Sequence, residues 1–206
     1  MACTEEDKMK DIIFNTYKLY FEHGPRSSKK VDFFHGEIKK ILETIFVGYQ
    51  VKLECNVSSS NSSERKKCDI VVLKEGIPYV IFPVKLIMTN YKQNKNNGWE
   101  NLTGEVTHIK WSVPNVNIVP INIFIGKTPY LETSKKIKKF ETITNADIKN
   151  YSLLIDHKLC YDVINYIVDV DHNCHEGDEF TGLNSIVGFS EHTTYRNFKD
   201  VLGGLV

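Results

Sequence analysis

The stretch YVIFPVK, Tyr79 to Lys85, decides how the middle of the chain folds. Its first four residues are apolar and typical of a buried strand, but Pro83 interrupts the run and Lys85 closes it. A central strand rarely holds a proline, because proline donates no N–H to the sheet, and a lysine is rarely buried without a partner. The stretch therefore predicts a buried strand that ends at a charged position.

Apolar periodicity on either side of this stretch predicts a mixed α/β core. Residues at helical spacing indicate helices, and alternating residues indicate strands. Glu75-Gly76 is typical of a tight turn that joins two of the strands into a hairpin. The predicted core elements are a helix over 31–47, strands over 49–57, 68–73 and 77–85, a helix over 98–111 and a strand over 117–125. This α-β-β-β-α-β order predicts an α/β protein with a mixed sheet flanked by helices.

The composition is that of an ordinary globular protein with no net charge. The chain has 206 residues, of which 41% are hydrophobic and 25% are charged. No apolar run approaches the ~20 residues that span a bilayer, and the acidic start MACTEEDKMKD does not resemble a secretory signal. We therefore expect a cytoplasmic protein without membrane contact. Zero net charge argues against a nonspecific nucleic-acid coat protein, but it is compatible with a site-specific DNA enzyme.

The length of the chain fits one domain, so 1–206 is predicted to form a single unit with its core over about 31–126. The pattern weakens after Gly126, and nothing in 127–206 indicates a second recognised domain. In that part the lysine-rich run SKKIKKF, Ser134 to Phe140, is interpreted as a helix. We expect dimerisation or DNA-recognition elements there.

Hairpin geometry brings a carboxylate to the end of YVIFPVK. With a two-residue turn Asp69 falls opposite Phe82, and with a turn one residue looser it falls opposite Pro83. Side chains alternate along a strand, so Pro83 and Lys85 point to the same face. Asp69 and Lys85 are thus predicted to be neighbours in space.

A carboxylate and a lysine at one strand end suit phosphodiester hydrolysis. The carboxylate can hold Mg²⁺, which activates water, and the lysine can stabilise charge that develops on the phosphate. The alternative is a structural Asp–Lys pair without a chemical role.

The order of elements and these residues together resemble the PD-(D/E)XK nuclease superfamily, which includes many type II restriction endonucleases. Its signature is an aspartate early in one hairpin strand and, at the end of the next, an acidic residue, any residue and then lysine. The matching positions here are Cys68-Asp69 and Pro83-Val84-Lys85, and the resemblance covers about Val31 to Gly126. It implies a Mg²⁺-dependent endonuclease, in which Mn²⁺ can substitute, that cuts double-stranded DNA as a homodimer.

Pro83 departs from the family pattern, which has a metal-binding aspartate or glutamate at that position. One branch of these enzymes carries the glutamate on the following helix, after a polar segment with a Gln-Asn pair. This chain has Gln93-Asn94 and then Glu100-Asn101-Leu102. The resemblance therefore implies Asp69, Lys85 and Glu100 as the catalytic set, with Asp69 and Glu100 as metal ligands.

The helical wheel gives a second candidate for the metal ligand on the same helix. Glu105 flanks the apolar stripe that is predicted to face the sheet, whereas Glu100 lies almost opposite that stripe. Glu105 is better aimed, and Glu100 matches the family pattern better. Glu37, next to Ile38 on the helix over 31–47, is a further candidate, since several members of the superfamily place a helix glutamate near the metal.

A segment rich in amides and lysines follows the hairpin and is predicted to form a polar connection beside the site. Asparagine and glutamine pair with adenine edges, and lysine contacts phosphates or guanine. The candidate DNA-binding residues are Asn90, Lys92, Gln93, Asn94, Lys95 and Asn97. The same composition is also typical of a loop that is merely exposed and polar.

Three functions stay open at the level of sequence. The first is a type II restriction endonuclease that cuts at specific sites. The second is a repair or recombination nuclease of the same fold, which cuts according to DNA structure. The third is an inactive nuclease-fold module that binds DNA without cutting it, and Pro83 favours this function.

Overall fold

The chain folds as a mixed α/β protein whose helices flank mixed sheets. The computed structural model describes residues 4–58, 65–181, 183–193 and 195–206. The helices are α1 (Glu5–His23), α2 (Lys29–Ile45), α3 (Tyr91–Ser112), α4 (Asn145–Ile148), α5 (Leu153–Asp156) and α6 (Phe198–Leu202). The strands are β1 (Gln50–Ser58), β2 (Arg65–Lys74), β3 (Ile77–Phe82), β4 (Val84–Ile87), β5 (Asn117–Ile118), β6 (Ile121–Ile125), β7 (Lys127–Leu131), β8 (Ile137–Thr142), β9 (Ile164–His172) and β10 (Leu183–Phe189).

Two prolines break two neighbouring strands of the sheet. The strands pair in the orders β1-β2-β3-β5 and β10-β9-β6-β4, with β3–β5, β4–β6 and β6–β9 parallel. Backbone hydrogen bonds continue across the breaks, because the Val119 N–H donates to the Ile81 carbonyl (2.9 Å) and the Ile121 N–H donates to the Pro83 carbonyl (2.8 Å). Proline has no N–H to donate to a neighbouring strand, so β3/β4 is interrupted at Pro83 and β5/β6 is interrupted at Pro120.

Counted as one interrupted strand each, β3/β4 and β5/β6 give the predicted order of elements. From α2 to β6 the chain runs α-β-β-β-α-β. The predicted bounds of α2 and β1 agree with the observed ones within two residues. Apolar periodicity predicted these bounds well because α2 and β1 each bury one face in the core, and this burial requires regular apolar spacing.

An apolar layer lies on each face of the sheet. Alternate residues of β2 enter different layers: Ile70 and Val72 pack with α1, α2 and α6, whereas Val71 and Leu73 pack with α3. The large, fully buried side chains of the first layer include Tyr17, Phe34, Phe82, Tyr166 and Phe198. In the second layer, α3 contributes Leu102, Val106 and Ile109. The described helices include none that is long and apolar enough to cross a membrane.

The segment predicted to be a polar connection before α3 is helical instead. The helix begins at Tyr91, about two turns earlier than predicted, after Asn90 in the left-handed region (φ 52°). The buried carboxylate of Glu141 accepts a hydrogen bond from the Lys92 N–H (3.0 Å) at the positive end of the helix dipole. This tertiary cap outweighs the weak helix propensity of the asparagine-rich run.

The part over 127–206 is integral to the fold. β9 pairs in parallel with β6 and antiparallel with β10, so two of its strands complete the central sheet. The run SKKIKKF does not form a helix, because β8 (Ile137–Thr142) pairs antiparallel with β7. The last helix, α6, begins after the Asn197 cap. Whether this part also serves dimerisation or DNA recognition stays a prediction.

Candidate active site

Asp69 lies where the paired strands β2 and β3/β4 part. A register shift between Val72 and Leu73 makes the hairpin one residue looser, so Ile70 pairs with Phe82 and Asp69 comes next to Pro83. Since Pro83 has no N–H, the next available donor is the Val84 N–H, which donates to Asp69 Oδ2 (2.7 Å). Beyond this point β4 leaves β2 and pairs with β6. The looser of the two predicted registers is therefore observed, and proline directs the carboxylate onto the strand end.

Lys85 and Glu105 form an ion pair between β4 and α3. Lys85 Nζ donates to Glu105 Oε2 at 2.7 Å, and Lys66 Nζ approaches Glu105 Oε1 at 3.4 Å. The Glu105 side chain is 13% exposed and that of Lys85 is 32% exposed. Burial alone would raise the pKa of Glu105, but attraction to Lys85 and then to Lys66 outweighs it and leaves this pKa below its ordinary value. Glu105 is therefore an ionised carboxylate at neutral pH.

Asp69 belongs to the same electrostatic environment. Burial raises the pKa of Asp69, the Val84 hydrogen bond and His35 lower it, Glu105 raises it further and Lys85 lowers it. The net direction is upward, because a half-buried carboxylate lies near a second one. Two carboxylates from different elements, beside a lysine, are the oxygen donors that suit Mg²⁺, so these residues fit the ion that the resemblance implies.

Of the predicted site residues, Lys85 and Glu105 contact each other and Asp69 lies within their electrostatic range, whereas Glu100 and Glu37 do not join them. Glu100 is exposed and lies five residues before Glu105, which places it about 140° away around the helix. Because α3 begins at Tyr91, Glu100 lies in the middle of the helix and not in its first turn, so its side chain cannot reach over the strand end. Glu37 pairs with Lys40 (2.5 Å) and lines a groove of ≈ 630 Å³ between α1 and α2, which contains none of the other candidates.

A second cluster, which was not predicted, is formed by His35, Glu54 and Asp69. One ligand atom from each of the three lies within 4.8 Å of those of the other two. His35 Nδ1 is 3.4 Å from Glu54 Oε1, and Glu54 Oε2 also pairs with Lys67 (2.6 Å). A detectable signal was present for His35, which follows Phe34 and precedes Ile38 within the apolar stripe of α2. A histidine in a buried stripe needs a polar partner.

Glu54 reaches this cluster through an unusual backbone conformation. Its φ is 49°, and it lies between the pairs Leu53–Ile70 and Cys55–Cys68, at the level of Asp69. The left-handed region costs a residue with a Cβ about 1–2 kcal/mol. Such outliers are concentrated at functional sites, where surrounding contacts hold them.

Substitutions at this position separate the backbone cost from the loss of the carboxylate. We expect Glu54→Gly to be more stable than Glu54→Ala by about 1 kcal/mol, because both remove the carboxylate but glycine adopts positive φ freely. Urea unfolding of the two variants in EDTA measures the difference. Equal stability, or a more stable alanine variant, would show that the conformation at Glu54 carries no strain.

The candidate DNA-binding residues have two different environments. Asn90 is bound to β7, since its Oδ1 accepts from the Leu131 N–H (2.8 Å) and its backbone N–H donates to the Pro129 carbonyl (3.0 Å). Lys95 pairs with Asp147 at 3.1 Å. The exposed members are Lys92, Gln93, Asn94 and Asn97. Asn94, Lys95 and Asn97 line a cleft of ≈ 360 Å³ that also contains Lys85 and Asn101.

This cleft gives the amide-rich face of α3 a direct relation to the ion pair. Asn94 and Asn97 are therefore available to a ligand in this cleft, whereas the side chain of Asn90 is engaged within the fold. Comparison of the chain with protein-family models, with curated proteins and with solved structures found no match.

Proposed function

We propose that the chain is a Mg²⁺-dependent endonuclease of the restriction-endonuclease type that hydrolyses phosphodiester bonds in double-stranded DNA. The observation that carries this proposal is that the Lys85–Glu105 ion pair lies within electrostatic range of Asp69, which accepts a hydrogen bond from the Val84 N–H where β4 parts from β2. Glu105 supplies, from α3, the carboxylate that Pro83 cannot supply from the strand. The core order from α2 to β6 supports the same fold type.

Each of these side chains has a role that its contacts allow. Asp69, oriented by the Val84 N–H, and Glu105 would hold the ion, which supplies charge neutralisation and an activated water. Lys85 forms an ion pair with Glu105 in the absence of DNA. Its ammonium group would turn toward a phosphate oxygen once DNA is bound. Lys66 would then remain as the counter-charge of Glu105.

The amide-rich face of α3 would contact the DNA next to this site. Lys92, Gln93, Asn94 and Asn97 are exposed, and Asn94 and Asn97 line the cleft that also contains Lys85. Amide groups read adenine edges and lysines contact phosphates. Sequence-specific cutting of a palindrome calls for a two-fold homodimer, which is part of the proposal.

A DNA-binding module without cleavage is the second candidate, and one observation favours it. Glu105 is already paired with two lysines, so its charge is balanced without an ion. In that case Glu105, Lys85 and Lys66 form a structural ion-pair network, and the exposed face of α3 alone explains DNA binding.

Digestion of unmethylated phage DNA by the purified protein distinguishes these candidates. We expect discrete fragments with Mg²⁺, no cutting with EDTA, and no cutting by Asp69→Asn, which keeps the size of the side chain and loses its charge. Cutting restricted to branched or single-stranded DNA would replace restriction by repair. Intact DNA with an unaltered gel shift in Asp69→Asn would establish the binding module.

A further inference from the structure

His35, Glu54 and Asp69 converge from α2, β1 and β2 on one point beside the proposed active site. The imidazole is the deepest member, with a side chain that is 3% exposed, whereas the Glu54 side chain is 41% exposed. The cluster is therefore closed on the helix side and open to solvent at Glu54. A small ion could enter without movement of the core.

We propose that this cluster is a second cation site, which binds a divalent transition-metal ion in preference to Mg²⁺. The site shares Asp69 with the proposed active site, and to that extent it rests on the proposed function. Its ligand set of one imidazole and two carboxylates differs from an all-oxygen site. Imidazole favours transition metals, whereas Mg²⁺ prefers oxygen ligands and keeps its waters.

The distances fit an ion of this class. Ligand atoms that bind a metal tetrahedrally at about 2.1 Å lie about 3.4 Å from one another. The separation of His35 Nδ1 from Glu54 Oε1 is 3.4 Å, and every pair within the cluster is at most 4.8 Å apart. Contraction of the wider pairs by at most about 1.4 Å, through side-chain rotation, would complete the site.

Charge also favours a cation over an internal ion pair at this point. Two carboxylates, those of Glu54 and Asp69, converge on His35, whose Nδ1 faces Glu54 Oε1. Lys67 balances part of the charge of Glu54 from outside.

Binding of Mn²⁺ in a tenfold excess of Mg²⁺ tests the proposal, with free Mn²⁺ measured by electron paramagnetic resonance. The excess Mg²⁺ is meant to occupy the oxygen site. We expect one saturable Mn²⁺ site, with affinity lowered at least about tenfold in His35→Gln, because even indirect partners of metal ligands contribute that much. His157→Gln, at an exposed histidine outside the cluster, is the matched control and should bind as the unaltered protein does.

A second variant and a second readout guard against loss of folding. Glu54→Gln changes a more exposed ligand and should also weaken Mn²⁺ binding. In the unaltered protein, bound Mn²⁺ should broaden the imidazole resonance that is missing from the spectrum of His35→Gln. Equal Mn²⁺ affinity in His35→Gln and His157→Gln, or broadening that spares this resonance, overturns the proposal.

The outcomes separate this site from the proposed function. Mn²⁺ binding that depends on His35, in a protein that does not cut DNA, keeps the metal site and removes the nuclease. Mg²⁺-dependent cutting, together with a Mn²⁺ affinity that is unchanged in His35→Gln, would support the nuclease and contradict this metal site. Lys85→Met offers a further check, since it should lose cutting and retain the Mn²⁺ site.

Discussion

Glu105→Gln is expected to lower the rate of Mg²⁺-dependent DNA cutting by about 10²–10³-fold, whereas Glu100→Gln changes it by less than about threefold. The loss corresponds to several kcal/mol of charge stabilisation in the transition state. Both substitutions replace a glutamate of α3 by its neutral isostere. Only Glu105 lies in contact with Lys85 and near Asp69, while Glu100 is exposed on another side of the helix. The measurement is the initial rate of plasmid cutting under single-turnover conditions.

This pair of variants decides between two arguments about the same helix. The family pattern favours Glu100, because it occurs in the run Glu100-Asn101-Leu102 after Gln93-Asn94. Geometry favours Glu105, which flanks the buried stripe. A rate that falls in Glu100→Gln and not in Glu105→Gln would contradict the geometric argument, and it would require α3 to begin later when DNA is bound. Thermal unfolding of both variants checks that the helix is intact.

The register of the hairpin was predictable because few arrangements were possible. The Glu75-Gly76 turn and the alternation of side chains left two positions for Asp69, both next to the end of YVIFPVK. The choice between them depended on the shift at Val72–Leu73, which no residue type announces. Even so, either register would have brought Asp69 near Lys85.

The start of α3 was mispredicted for a reason that lies outside the segment itself. Asparagine has low helix propensity, so local preferences indicate a loop. The cap on Lys92 comes from Glu141 in β8, a strand that begins within the run SKKIKKF, for which a helix is predicted. An error in the later segment thus concealed the partner that makes the earlier one helical.

The second cluster was missed because its members are brought together by tertiary structure alone. His35 and Glu54 belong to different elements, and Glu54 reaches Asp69 only by adopting a positive φ. Regular alternation along β1 gives no sign of such a local change.

Lys66 was recognisable in principle, since it precedes Cys68 by two positions and therefore points to the same side as this residue of the α3 layer.

Lys85→Met is expected to reduce DNA cutting by about 10²–10³-fold while leaving the fold and DNA binding intact. Removal of one preorganised donor from a site of developing negative charge costs about this much in other enzymes. Methionine keeps the length of the side chain, and Lys85 is one-third exposed, so the loss of its pair with Glu105 should change the free energy of unfolding by only about 1 kcal/mol or less. Lys66 remains to balance Glu105.

Lys52→Met provides the matched control, because Lys52 is an exposed lysine on β1 outside the ion pair. It should cut at the rate of the unaltered protein, and both variants should give the same gel shift with Ca²⁺ in place of Mg²⁺. Full activity in Lys85→Met would mean that the lysine at the end of YVIFPVK only balances the charge of Glu105. A loss of activity with unaltered binding would instead support a role for Lys85 in the chemical step, where its charge stabilises the transition state.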